Sequence, residues 1–164
     1  HGKGIFTWSN GDKYVGEFKH GQKYGQGVLT YKNGKKFDGE WRWDKPFSGK
    51  GVFIGKNKKS TFIIEGEWIN GQLEGQGKWA IESPSNFICS YEGEFKKSKP
   101  HGQGKMQICR ETKTSMQRVP ILLKMKGLTI IGEMKNGRPW NARSYNDKGE
   151  QQPFIALNGK LSGM

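Results

Sequence analysis

A phased glycine repeat is the feature that most limits what this chain can become. The sequence reads Tyr14-x-Gly16-Glu17-Phe18, Phe37-x-Gly39-Glu40-Trp41, Ile64-x-Gly66-Glu67-Trp68, Tyr91-x-Gly93-Glu94-Phe95 and Ile130-x-Gly132-Glu133-Met134. A second pair follows the first four copies at an offset of nine or ten residues: Gly25-x-Gly27, Gly49-x-Gly51, Gly75-x-Gly77 and Gly102-x-Gly104. In the fifth copy that offset falls on Asn141 and Arg143, so the copy is degenerate. The chain opens inside a repeat, His1-Gly2-Lys3-Gly4 matching His101-Gly102-Gln103-Gly104. A period of 23 to 27 residues, stretched once to 39, is the mark of a repeat array.

Each copy reads as a β-hairpin. Alternate residues of a strand share a face. Tyr14, Gly16 and Phe18 therefore point one way, and Val15, Glu17 and Lys19 the other. His20-Gly21-Gln22-Lys23 supplies a turn, and the return strand sets Gly25, Gly27, Leu29 and Tyr31 on the ring-bearing face. Asn33-Gly34 starts the next hairpin. Glycine recurs too often inside each segment for a helix. The expected fold is all-β: an elongated, twisted antiparallel meander of about ten strands in one layer.

Aligned copies place large side chains in columns, with glycine stripes between them. The columns are Tyr14, Phe37, Ile64, Tyr91, Ile130; Phe18, Trp41, Trp68, Phe95, Met134; Phe6, Leu29, Phe53, Trp79, Met106; and Trp8, Tyr31, Gly55, Ile81, Ile108. Such a sheet bends at its glycines. It is expected to make a trough floored by glycine and walled by rings. The repeat glutamates Glu17, Glu40, Glu67, Glu94 and Glu133 fall on the opposite face. They recur about 10 Å apart, too far for a paired acid/base site in every copy. Their expected role is to accept hydrogen bonds from turn N–H groups or a neighbouring lysine.

The phased pattern Tyr-x-Gly-Glu-Phe/Trp, Gly-x-Gly, Asn-Gly resembles the MORN (membrane occupation and recognition nexus) repeat. Residues 14–36 fit closest, and 1–13 resemble the second half of a preceding copy. On that basis the array spans 1–149: a half repeat 1–13, repeats 14–36, 37–63, 64–90 and 91–129 with an insertion at 109–127, and a degenerate copy 130–149. Residues 150–164 are expected to form a C-terminal cap or tail, folding Pro153–Leu157 over the last strand. The resemblance implies a non-catalytic interaction scaffold. It points to the groove rings Tyr14, Phe18, Tyr31, Phe37, Trp41, Trp68, Trp79, Tyr91 and Phe95 as the grip on a helix or extended peptide of a partner protein. In a one-layer sheet such rings serve the chain's own core as well.

Charge supplies the alternative. A net charge of +13 favours anionic partners. Basic loops at the sheet margins carry Lys35 and Lys36; Lys56, Lys58 and Lys59; and Lys96, Lys97 and Lys99. At about 1 kcal/mol per basic residue they suffice for recruitment to phosphoinositide or phosphatidic acid. The insertion adds Arg110, Lys113, Arg118, Lys124 and Lys126. Nucleic acid is disfavoured, since no RNP-like aromatic motif is present. A homo-oligomer through the cut edge at residues 1–8 stays open. Catalysis is not expected: there is no G-x-S-x-G, H-E-x-x-H or phosphate loop, and no metal or cofactor pattern. Cys89 and Cys109 form neither a zinc pattern nor a disulfide framework, which suits a reducing compartment. No apolar run reaches 18 residues and no signal peptide is present. The expected location is cytoplasmic, at the periphery of a membrane or the cytoskeleton. With no initiator Met and a start inside a repeat, the chain reads as a piece of a longer protein.

Overall fold

A computed structural model describes residues 1–56, 61–82, 88–108 and 127–162. These form thirteen strands: β1 (Gly2–Thr7), β2 (Lys13–Lys19), β3 (Gln22–Thr30), β4 (Lys36–Arg42), β5 (Lys45–Lys56), β6 (Thr61–Ile69), β7 (Gln72–Glu82), β8 (Ile88–Lys96), β9 (Lys99–Ile108), β10 (Thr129–Lys135), β11 (Arg138–Tyr145), β12 (Gln151–Leu157) and β13 (Lys160–Ser162). They lie in a single sheet in chain order, each antiparallel to the next. The count exceeds the expected ten because the opening half repeat supplies β1 and the C-terminal segment supplies β12 and β13. That segment does not fold over a face of the sheet. It pairs with β11 through Ala142↔Ala156 and Arg143↔Ile155, then turns into β13. An in-plane hairpin satisfies the open N–H and C=O row of β11, which a segment lying across a face would leave unpaired.

The Gly-Glu pair has a role that strand alternation alone does not reveal. Register breaks fall between Gly16 and Phe18, Glu40 and Trp41, Glu65 and Glu67, Gly93 and Phe95, and Glu133 and Met134. Each repeat therefore carries a β-bulge at its signature. A bulge bends its strand and adds right-handed twist, so a bulge in the first strand of successive hairpins accumulates into curl.

Two-residue turns line one margin of the sheet, with positive φ at both central residues. They are His20-Gly21 (50°, 78°), Trp43-Asp44 (52°, 64°), Asn70-Gly71 (51°, 76°), Lys97-Ser98 (52°, 59°), Asn136-Gly137 (53°, 83°) and Asn158-Gly159 (49°, 73°). Positive φ at both positions is the type I′ pattern, whose twist matches that of the strands. The last five of these turns also dock on the hairpin before them. The N–H of Asp44 donates to Lys23 O (3.2 Å), Gly71 to Phe47 O (2.6 Å), Ser98 to Leu73 O (3.0 Å), Gly137 to Pro100 O (2.8 Å) and Gly159 to Trp140 O (3.0 Å). This ladder gathers one margin inward and holds the curl. The opposite margin uses wider turns, such as Tyr31–Lys35, closed by Tyr31 N–H to Lys35 O at 2.8 Å.

Curling explains how one layer buries a core. Tyr14, Phe37, Trp41 and Ile130 are fully buried on the ring-bearing face, with no second sheet or helix above them among the described residues. That face is the concave one, and on it the rings of successive hairpins cover one another, as Tyr14 and Trp41 do at 5.6 Å between centroids.

Candidate binding groove

The concave face begins with rings seated on glycines. A Cβ at Gly27 would run into the Tyr14 ring, and one at Gly104 into the Tyr91 ring. Phe95 lies 3.2 Å from the Cβ position of Gly77, and Phe18 lies 3.5 Å from that of Gly4. At Gly4, Gly27, Gly77 and Gly104 the second glycine of Gly-x-Gly is therefore a seat for a ring, and there the expected glycine floor is already covered, while Gly51 meets backbone. Tyr14 Oη donates to Glu17 O at 3.1 Å and Tyr91 Oη to Glu94 O at 3.0 Å, the same bond in two copies. Burial, with the nearby carboxylates of Glu17 and Glu94, pushes both phenols up to about 12.

Edge-to-face contacts link the rings: Phe37 to Trp41 at 5.1 Å, Tyr14 to Trp41 at 5.6 Å, and Tyr91 to Phe95 at 5.0 Å between centroids. Of the nine rings singled out by sequence, Tyr14, Phe37, Trp41, Tyr91, Phe95, Tyr31 and Trp68 are buried, and Phe18 and Trp79 are partly buried. Most of them form the core, and an isolated core ring offers a partner no surface.

An open groove does exist, and it is lined differently. It occupies about 1260 Å³ over the β1–β2 loop and β3–β6, and of the nine rings it includes Tyr31 and Trp68. Its other walls are Trp8, Leu29, Phe53, Phe62 and Ile64, with Trp43 and Phe47 at the tight-turn end. Trp8 and Phe53 already lay in the aligned columns. Phe62 sits outside the repeat pattern, so no periodic signal marks it. Trp43-Asp44 was detectable as a turn lacking the glycine found in most of its counterparts.

The indoles of Trp41 and Trp68 occupy equivalent positions but differ in one bond. Trp41 Nε1 donates to Gly27 O at 2.9 Å. Trp68 Nε1 is buried at the groove with no hydrogen-bond partner among the described residues. Beside them, Lys23 reaches under the rings. Its ammonium lies 5.2 Å from the Trp8 centroid and 5.4 Å from that of Trp41, and 2.9 Å from Asp44 Oδ1. Asp44 Oδ1 also accepts the Lys23 backbone N–H at 2.9 Å. Burial alone would raise the Asp44 carboxyl, but the bonds and charge of Lys23 together hold it below the usual range. A neutralised pair thus closes one end of the groove.

Two of the five repeat glutamates bond across the bulge. Glu94 Oε1 accepts the Gln103 N–H at 3.1 Å, and Glu133 Oε2 the Asn141 side-chain amide at 2.7 Å. Glu40 instead accepts from Arg42 Nε at 3.2 Å.

Five of the eight lysines singled out for anions have described side chains, and they stand at both margins of the sheet. Lys35 and Lys36 are exposed on the wide-turn margin, and Lys96, Lys97 and Lys99 on the tight-turn margin. Lys58, Lys59 and the insertion from 109 to 126 lie outside the described residues, as does the side chain of Lys56.

A profile of the MORN repeat matches residues 1–13, 14–36, 37–59, 65–80 and 91–109, more than half of the chain. The chain belongs to the MORN-repeat family. A comparison with curated proteins gives no match. In this MORN array the repeat signature is thus a bulge, a ring and a glycine seat. Among the described residues no cluster of His, Cys, Asp and Glu is placed to hold a metal ion. No helix there is long and apolar enough to cross a membrane.

Proposed function

We propose that this MORN array is a non-catalytic scaffold that seats an apolar segment of a partner protein in its concave groove. The observation that carries the reading is the groove itself. Trp8, Phe53 and Ile64 pack against the core yet stay partly exposed, and they line a cleft of about 1260 Å³. Small-molecule sites run to about 1,000 Å³, so this cleft suits a peptide with two or three aromatic or aliphatic anchors. Its place in a cell would be cytoplasmic, at a membrane or cytoskeletal periphery. Acidic phospholipid is the competing occupant. The net charge of +13 supports it, but lysines on opposite margins meet a flat bilayer one margin at a time.

The test is selection from a random peptide library, followed by affinity measurement on the Trp8→Ala/Phe53→Ala variant. Circular dichroism would establish that the variant folds. Selected peptides are expected to share spaced apolar anchors and to bind the variant at least about tenfold more weakly. Equal binding to the variant would remove the groove from consideration. Tighter binding to anionic vesicles than to any selected peptide would favour the lipid reading.

A further inference from the structure

The tight-turn margin carries a repeated local cost. In a two-residue hairpin the residues flanking the turn face one another, and like charges there are unfavourable. Three of the six hairpins on this margin are closed by two cations: Arg42↔Lys45, Lys96↔Lys99 and Lys135↔Arg138. A fourth pairs Leu157 with Lys160. Lys97 adds a cation at the turn itself, at φ 52°, where Asn136 and Asn158 stand in the next two hairpins. Lysine is poorly suited to that backbone conformation, whereas asparagine tolerates it. Two separate penalties therefore meet at Lys96–Lys99, and both add positive charge.

Among the described residues, a carboxylate ion pair relieves the Arg42–Lys45 hairpin alone of the three. Glu74 Oε1 accepts the Lys97 backbone N–H at 2.9 Å, Glu94 accepts from Gln103 and Glu133 from Asn141. Glu40 pairs with Arg42 at 3.2 Å. Among the described residues no ion pair reaches Lys45, Lys96, Lys97, Lys99, Arg138 or Lys160.

We infer that the margin from Lys96 to Lys160 is a docking ridge for an extended acidic polypeptide segment. Two strand spacings would set successive hairpins about 10 Å apart, and the docked turns draw their tips somewhat closer on this margin. A chain extended as polyproline II has three residues per turn and advances about 3.1 Å per residue, so a carboxylate at every third position faces the ridge and meets each hairpin in turn. A bilayer fits less well. Strands rotate by about 20–25° from one to the next, so the margin turns through roughly 80–100° between the β8–β9 and β12–β13 hairpins. A plane cannot follow that path, and a flexible chain can. Single-stranded nucleic acid would also follow it, but stacking needs exposed rings, and among the described residues the strongly exposed Phe6 and Trp43 lie outside this stretch.

The inference does not depend on the groove. The probe is a fluorescein-labelled peptide with Glu at every third position, against an isomer of the same composition with its Glu residues contiguous, read by fluorescence anisotropy. The spaced peptide is expected to bind more tightly than its isomer and to weaken steeply between about 50 and 300 mM salt. Lys97→Gln/Lys99→Gln/Arg138→Gln should weaken it about tenfold. Lys32→Gln/Lys35→Gln/Lys36→Gln makes the same charge change on the other margin and should leave it within about twofold. Trp8→Ala/Phe53→Ala should not affect it, which separates this ridge from the groove. Equal loss in both triple variants, equal binding of the two isomers, or tighter binding to anionic vesicles or an oligothymidylate than to the spaced peptide would overturn the inference.

Discussion

Trp41 and Trp68 show how much one hydrogen bond decides at the scale of a residue. Both are buried on the concave face, but Trp41 Nε1 reaches Gly27 O and Trp68 Nε1 reaches nothing among the described residues. A made bond contributes about 1 kcal/mol, while a buried donor left unpaired costs about 1–3 kcal/mol. Phenylalanine removes the N–H from either site with a similar loss of ring volume. Trp41→Phe is therefore expected to destabilise the protein by about 1–3 kcal/mol more than Trp68→Phe, measured by urea unfolding. Equal costs would mean that the Trp68 donor finds a partner in solution. The contrast was invisible in sequence, where the two tryptophans follow the same Gly-Glu.

The hairpin turn is the unit at the next scale. Asn-Gly is the low-strain solution to positive φ at both central residues, and three of the six tight turns use it. Lys97-Ser98 does not, and Ser98 compensates in part by accepting the Leu73 N–H on Oγ at 3.0 Å. Lys97→Asn keeps that bond while easing backbone strain and like-charge repulsion. It should raise stability by about 0.5–1 kcal/mol, seen as a higher urea midpoint at unchanged slope. The same change should weaken acidic-peptide binding, so stability and ridge affinity are expected to move in opposite directions. A variant no more stable than the parent would mean that Lys97 is not strained.

For the whole molecule, the sequential strand order makes stability nearly one-dimensional. Each strand pairs only with its chain neighbours, as in other repeat arrays. The turn ladder adds bonds between successive hairpins and none over longer range. Protection from hydrogen exchange is therefore expected to peak in β4–β8, which lie deep in the sheet. It should fall toward β1 and toward the three-residue strand β13, each paired on one side alone. Uniform protection across all strands would show a single cooperative unit instead.

The repeat period and strand alternation were sufficient to derive the meander and the sharing of one face by Tyr14, Gly27 and Leu29. Those properties are local: they follow from residues a few positions apart, and the sequence displays them directly. The tertiary structure alone decided which rings remain accessible. Curl is a sum over bulges and docked turns, and it buries Tyr14, Phe37 and Trp41 while leaving Trp8, Phe53 and Phe62 to line an open groove.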